Sequence, residues 1–149
     1  MRNNRFEIFS NGVGQVIKSM QYLKSRKMAQ YGLKGTTCRC LCQILESDGG
    51  LTAGELAALG EIDKAQVSRC VCELTEKGFI YREELEGRCY KQKYRLTPLG
   101  KDAARDITET AQKVYEVVRE GIDEADIEAF YRVLGQLCGN FNKVLERIQ

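Results

Sequence analysis

A chain of 149 residues, 43% hydrophobic and 30% charged, suits one compact domain or one subunit of an intertwined oligomer, and this composition excludes a disordered chain. The formal net charge of +2 names no partner by itself, and the complete lack of histidine excludes Ser-His or Cys-His catalytic pairs, imidazole metal ligands and an imidazole pH switch. No stretch is apolar enough to span a bilayer, Met1-Arg-Asn-Asn leads into no signal-peptide core, and seven cysteines lying mostly within helical patterns do not read as a secreted disulfide framework, so a cytoplasmic location is expected.

Apolar residues at Phe6, Phe9, Val13, Val16, Ile17, Met20 and Leu23 recur every three or four positions and predict a first amphipathic helix. Gly12 and Gly14 within it allow a bend or a close helix crossing. Tyr31 to Gly35 breaks the pattern, and Thr36 or Thr37 is expected to cap a second helix running to about Ser47, with Leu41, Ile44 and Leu45 inward. After an Asp48-Gly-Gly50 turn, Thr52 and Glu55 have capping-box spacing for a third helix. Gly60 to Asp63 has the length of a helix-turn-helix connection, and Asp63 should cap helix four. Phe79 to Leu85 and Cys89 to Leu96 alternate as strands, joined through Gly87. Thr97-Pro98 starts a fifth helix, Gly121 stops it, and Asp123 begins a sixth. Apolar residues near the C-terminus repeat every 3.5 residues on average, which predicts a coiled-coil-like seam needing a partner; a homodimer is the expected supplier.

The fold class predicted is therefore mainly α with a small β-wing: a winged helix-turn-helix flanked by N- and C-terminal dimerisation helices. The expected organisation is one domain over 1–149, with the winged region at 33–98 and helical dimerisation regions at 1–30 and 99–149. Helix four should bury Val67, Cys70, Val71 and Leu74, leaving Ala65, Arg69, Cys72 and Glu76 opposite and Gln66, Ser68 and Glu73 on the flanks. Recognition helices present their first turns to base edges. Arg69 suits guanine, Gln66 adenine and Ala65 a thymine methyl, while Lys64 and Ser68 suit phosphates. The arm from Arg88 to Arg95 holds four cations and no acid; Arg88 is expected at a minor groove, with Lys91 and Lys93 at phosphates. Glu83, Glu84 and Glu86 would oppose binding unless they face away or pair with these cations. Double-stranded DNA is the expected partner. Residues 106–128 are strongly acidic, so the chain has a basic and an acidic end.

These motifs together resemble the multiple-antibiotic-resistance regulator (MarR) family over nearly the whole chain. The residues carrying the resemblance are Gly32-Leu33, Leu51 to Ala57, Asp63 to Arg69, Leu74 to Ile80, and Leu96-Thr-Pro-Leu-Gly100. The resemblance implies a dimer with interlocked terminal helices on a near-palindromic operator, usually a repressor relieved by a small aromatic compound, an oxidant or a metal. It also implies a ligand pocket beside the winged domain, for which Tyr22, Met28, Tyr31, Cys38 and Tyr115 are candidate walls. The wing departs from the family in carrying Glu86 where aspartate is common, and the strand after Arg88 is one residue longer.

Cys38, Cys40 and Cys42 form a C-x-C-x-C run, but successive members rotate by 200° on a helix, so Cys40 points away from the other two and no closed metal site results. They are expected as core filler, with Cys70 packed inward and Cys138 in the apolar seam. Cys72 and Cys89 are expected outward, beside Arg69 and Arg88, whose charge would lower their thiol pKa; oxidation at either is the redox alternative. A winged-helix interaction module without DNA binding is the other. No metal, cofactor or enzymatic role is expected, since paired catalytic carboxylates and a glycine-rich phosphate loop are both missing.

Overall fold

The computed structural model describes residues 2–83 and 92–148. Its elements, in chain order, are α1 (Arg2–Ala29), α2 (Gly35–Glu46), α3 (Ala53–Gly60), α4 (Lys64–Glu76), β1 (Ile80–Arg82), β2 (Tyr94–Leu96), α5 (Pro98–Val118) and α6 (Glu124–Ile148). The chain forms two compact units, residues 1–112 and 113–149, so the division falls within α5.

The core of the first unit is the helix-turn-helix itself. Leu41 of α2, Leu56 of α3, Val67 and Leu74 of α4, and Ile80 of β1 are all but inaccessible to water, with Cys40 among them. Burying each large apolar side chain contributes about 1.5–3 kcal/mol, so this cluster holds the three short helices together. Helix α3 begins with the expected capping box: the Glu55 amide donates to Thr52 Oγ1 at 3.2 Å, and the Thr52 amide donates to a Glu55 carboxylate oxygen at 2.7 Å. It ends on Glu61, which takes a left-handed conformation (φ 50°) unusual for a residue other than glycine.

Helix α2 starts differently from the expectation. Its N-cap is Lys34, without a side-chain cap, and neither Thr36 nor Thr37 serves that role. Both lie one or two residues inside the helix, where their hydroxyls turn sideways to α4. Thr36 Oγ1 accepts from Gln66 Nε2 at 3.4 Å, and Thr37 Oγ1 donates to Glu73 Oε2 at 2.9 Å.

Strands β1 and β2 are shorter than the alternation suggested, three residues each, in an antiparallel pair with Ile80 opposite Leu96 and Arg82 opposite Tyr94. Tyr94 also exchanges backbone hydrogen bonds with Leu51, the amide of each donating to the carbonyl of the other at 2.8 and 3.2 Å. The approach is close enough that a Cβ at Gly50 (φ 79°) would lie 2.5 Å from the Tyr94 carbonyl oxygen, so this turn requires glycine. The strand residues predicted at 84–85 and 89–91, with the connection between them, lie outside the described residues.

Thr97 joins β2 to α5. Its hydroxyl donates to the Gly78 carbonyl at 2.6 Å and accepts from the Gly100 amide at 3.0 Å, capping the helix as the Thr-Pro pair suggested. A Cβ on Gly100 would sit 1.8 Å from the Phe79 carbonyl oxygen. Gly100 is thus required by a backbone crossing, which explains the last glycine of the Leu-Thr-Pro-Leu-Gly run.

Helix α1 is continuous through Gly12 and Gly14, and a Cβ at either would meet nothing within 4 Å. Its Phe6, Phe9, Val13, Val16, Ile17, Met20 and Leu23 are all exposed. In the second unit no residue of α6 is buried; Phe130, Leu134, Phe141, Val144 and Leu145 stand in solvent, and Cys138 with them.

Candidate nucleic-acid interface

Helix α4 begins where Asp63 accepts from the Gln66 amide at 2.7 Å, the N-cap that the sequence indicated. Val67, Cys70, Val71 and Leu74 are buried, so the helix is rotated as its periodicity requires. Lys64, Ala65, Ser68 and Arg69 are exposed together on the first two turns. Gln66 differs: it is half-buried, and its amide nitrogen is turned toward Thr36 on α2. The four exposed side chains combine two cations, a hydroxyl and a methyl, which is chemistry suited to phosphate oxygens and base edges.

Polar contacts from α2 and from the turn before it fix the ends of α3 and α4. Thr37 ties α2 to Glu73, and Glu73 also pairs with Lys77 at 3.8 Å. Lys77 in turn donates to the Gly32 carbonyl at 2.8 Å, at the turn between α1 and α2. Arg39 of α2 donates to the Gly60 carbonyl at 2.5 Å, fixing the end of α3. Apart from the Glu73–Lys77 pair, four positions apart, these are long-range polar links, which periodicity within a single helix cannot reveal.

In the wing, Glu83 faces Arg95, its carboxylate 3.2 Å from Arg95 Nε. The approach is an ion pair without hydrogen-bond alignment, since that buried nitrogen has no hydrogen-bond acceptor among the described residues. Lys93 lies half-buried near Gly49 of the α2–α3 turn. The Glu55 carboxyl is held below its ordinary pKa, first by hydrogen bonds from Thr52 and, more weakly, by the charge of Lys93. Lys93 makes no ion pair within 4.0 Å among the described residues. Arg88, Lys91 and Cys89 lie outside the described residues.

The expected activation of Cys72 by Arg69 is reversed. Cys72 is exposed as predicted, but its thiol donates to Glu76 one turn along at 3.5 Å, and that bond and charge push its pKa upward. A carboxylate accepting the thiol proton opposes formation of the thiolate.

Of the candidate ligand-pocket walls, Met28 and Cys38 belong to the buried core, and Tyr22 is exposed on α1. Tyr31 donates its phenolic proton to Asp106 of α5, which also pairs with Lys27 at 2.6 Å. That bond and burial push the Tyr31 pKa up to about 12. Tyr115 belongs to the second unit, where its hydroxyl lies 3.0 Å from that of Tyr131. Among the described residues no group of three or more acidic or thiol side chains is disposed to hold a metal ion, and no helix is long and apolar enough to cross a membrane.

An N-capped second helix with an exposed basic first turn, packed on a shorter helix and followed by a two-stranded ribbon, defines a winged helix-turn-helix protein. Residues 31–88 match the model of the MarR family. Over that segment the chain is similar to the MarR family, and beyond it the chain shares the fold of solved MarR family transcription regulators. One MarR family transcription regulator superposes with a TM-score of 0.83 at 19% identity, over 97% of this chain and 95% of that one. A MarR transcriptional regulator from Methanosarcina mazei gives 0.72 at 20% identity, over 93% and 99%. Staphylococcus aureus MarR, in complex with salicylate and kanamycin, gives 0.78 at 17% identity, over 92% of both chains. No curated protein matches the sequence at a significant level.

Proposed function

We propose that this protein is a sequence-specific DNA-binding transcription regulator that acts as a homodimer on a near-palindromic operator in the cytoplasm. It works by binding, without catalysing a reaction. The observation that carries this reading is the exposed set Lys64, Ala65, Ser68 and Arg69 at the N-terminal end of α4, within the family-matched segment. Arg69 takes the base-reading role because its planar fork suits guanine; Gln66 joins it on releasing Thr36; Lys64 and Ser68 hold phosphates. Arg88 of the wing extends the contact to the neighbouring minor groove, and Lys91 and Lys93 hold phosphates.

Dimerisation is favoured by the rows of exposed apolar side chains on α1 and α6, which in water need covering. Repression relieved by a small aromatic compound is favoured by the salicylate held in the S. aureus relative's structure. Oxidation as the relieving signal is less favoured at Cys72, whose neighbour Glu76 keeps the thiol protonated; Cys89 is the other thiol for that role.

Selection of binding sites from random duplexes tests the reading. A palindrome with half-sites about one helical turn apart, roughly 34 Å, is the expected result. Failure to enrich any sequence, with an affinity indifferent to salt, would establish a winged-helix interaction module in its place.

A further inference from the structure

The six cysteines among the described residues are free thiols, and four of them pair on opposite sides of α2. Cys40 and Cys70 of α4 are both buried in the core, and burial, helped by the Cys70 thiol, raises the Cys40 pKa. Cys38 and Cys42, one helical turn apart, share the other side, and each thiol shifts the other's hold on its proton. Cys38 is buried, whereas Cys42 is only half-buried, so Cys42 is the member that solvent reaches. Thr108 of α5 stands against Cys42. Its hydroxyl donates to the Ala104 carbonyl at 2.8 Å, and rotation of that hydroxyl can turn its proton to a thiolate.

We propose that Cys38 and Cys42 form a dithiol binding site for trivalent arsenicals. Such a group needs two sulfurs on one side of the arsenic, and the i, i+4 spacing presents them across about 5–6 Å between Cβ atoms. A disulfide needs Cβ atoms about 3.5–4.5 Å apart, so the same geometry disfavours a direct S–S bond. An organoarsenic(III) dihydroxide exchanges its two As–O bonds for two As–S bonds. Each thiol proton leaves with the displaced hydroxide as water. Arsenic remains trivalent, so no oxidant enters. Cys42 makes the first attack, because the Cys38 thiol and then Thr108 hydrogen-bond to its thiolate and bring its pKa down to about 7 despite burial. Cys38, whose own pKa is raised by Cys42 and by burial, closes the ring one turn away. The site stands whether or not the chain binds DNA.

The test uses the whole reduced chain, treated with phenylarsine oxide, challenged with excess glutathione and weighed intact. A single phenylarsenic group per chain should survive the challenge, map to the peptide containing residues 38–42, and be stripped by a dithiol such as dimercaptopropanesulfonate. Adducts on isolated thiols such as Cys72 or Cys138 exchange onto glutathione. Cys42→Ser and Cys38→Ala should each abolish retention, while Cys70→Ser should keep it. Loss of all arsenic to glutathione from the unsubstituted chain overturns the proposal, and so does retained arsenic that maps to Cys40 and Cys70. The peptide map on the unsubstituted chain decides the location even where a core substitution impairs folding.

Discussion

Thr37, on the first turn of α2, donates to the Glu73 carboxylate across the helix-turn-helix at 2.9 Å, and Glu73 in turn faces Lys77. The Thr37 side chain is buried and Glu73 is half-buried, so this bond to a charged acceptor is partly shielded from water. Thr37→Val keeps the shape and removes the donor. It should lower stability by about 1.5–3 kcal/mol, the range for a hydrogen bond to a charged group, as read from chemical denaturation midpoints. Glu73→Gln should lose less, since its amide oxygen still accepts from Thr37.

Arg69 and Lys64 should separate specificity from general affinity. Arg69→Ala is expected to weaken binding to a selected site by about 1–3 kcal/mol and to relax preference at one base pair in each half-site. Lys64→Ala should weaken all duplexes alike and reduce the salt slope of binding by about 1. Titrations at several salt concentrations, on selected and scrambled duplexes, distinguish the two effects.

The Tyr31–Asp106 bond makes a pH-dependent contribution to folding. The folded chain holds the phenolic proton more tightly than the unfolded chain, with the pKa raised from 10.0 to about 12. Its share of stability is therefore complete below about pH 10 and is lost as the pH climbs toward about 12. Tyr31→Phe should flatten that alkaline decline, measured by denaturation at stepped pH. An unchanged decline would place its origin in other groups.

The apolar rows of α1 and α6 should be covered by a second copy of the chain. Val13 and Ile17 are 41% and 49% exposed in the single chain, so glutamate at both sites should leave its helical content intact. Sedimentation equilibrium should give a two-chain mass for the unsubstituted protein and a one-chain mass for Val13→Glu with Ile17→Glu. Phe141→Glu tests α6 in the same way.

Local chemistry was readable in the sequence to the extent that it acts locally. The Thr52–Glu55 capping box, the Asp63 cap, the Thr97-Pro98 start and the buried face of α4 each depend on residues within a turn or two, and all four are found in the structure. Thr37 was expected as a helix cap, and its bond to Glu73 escaped notice because that partner lies thirty-six positions away, beyond any helical period. Gln66 seemed free for bases because its spacing places it on a flank, whereas Thr36 of a neighbouring helix engages it. Cys72 was paired with the wrong neighbour. Arg69 and Glu76 are three and four positions from it, both within reach on a helix, and only side-chain placement decides that Glu76 accepts the proton. The C-x-C-x-C run was read correctly for direction, with Cys40 opposite its neighbours, but the mutual influence of the Cys38 and Cys42 thiols needed coordinates.

With Gly100 pressed against the Phe79 carbonyl, the first turn of α5 has no room to slip past the root of the ribbon. Close-packed elements without clearance transmit displacement to one another. A roll of α5 about its own axis is thereby geared to the wing, and a nudge delivered at one is felt at the other without slack.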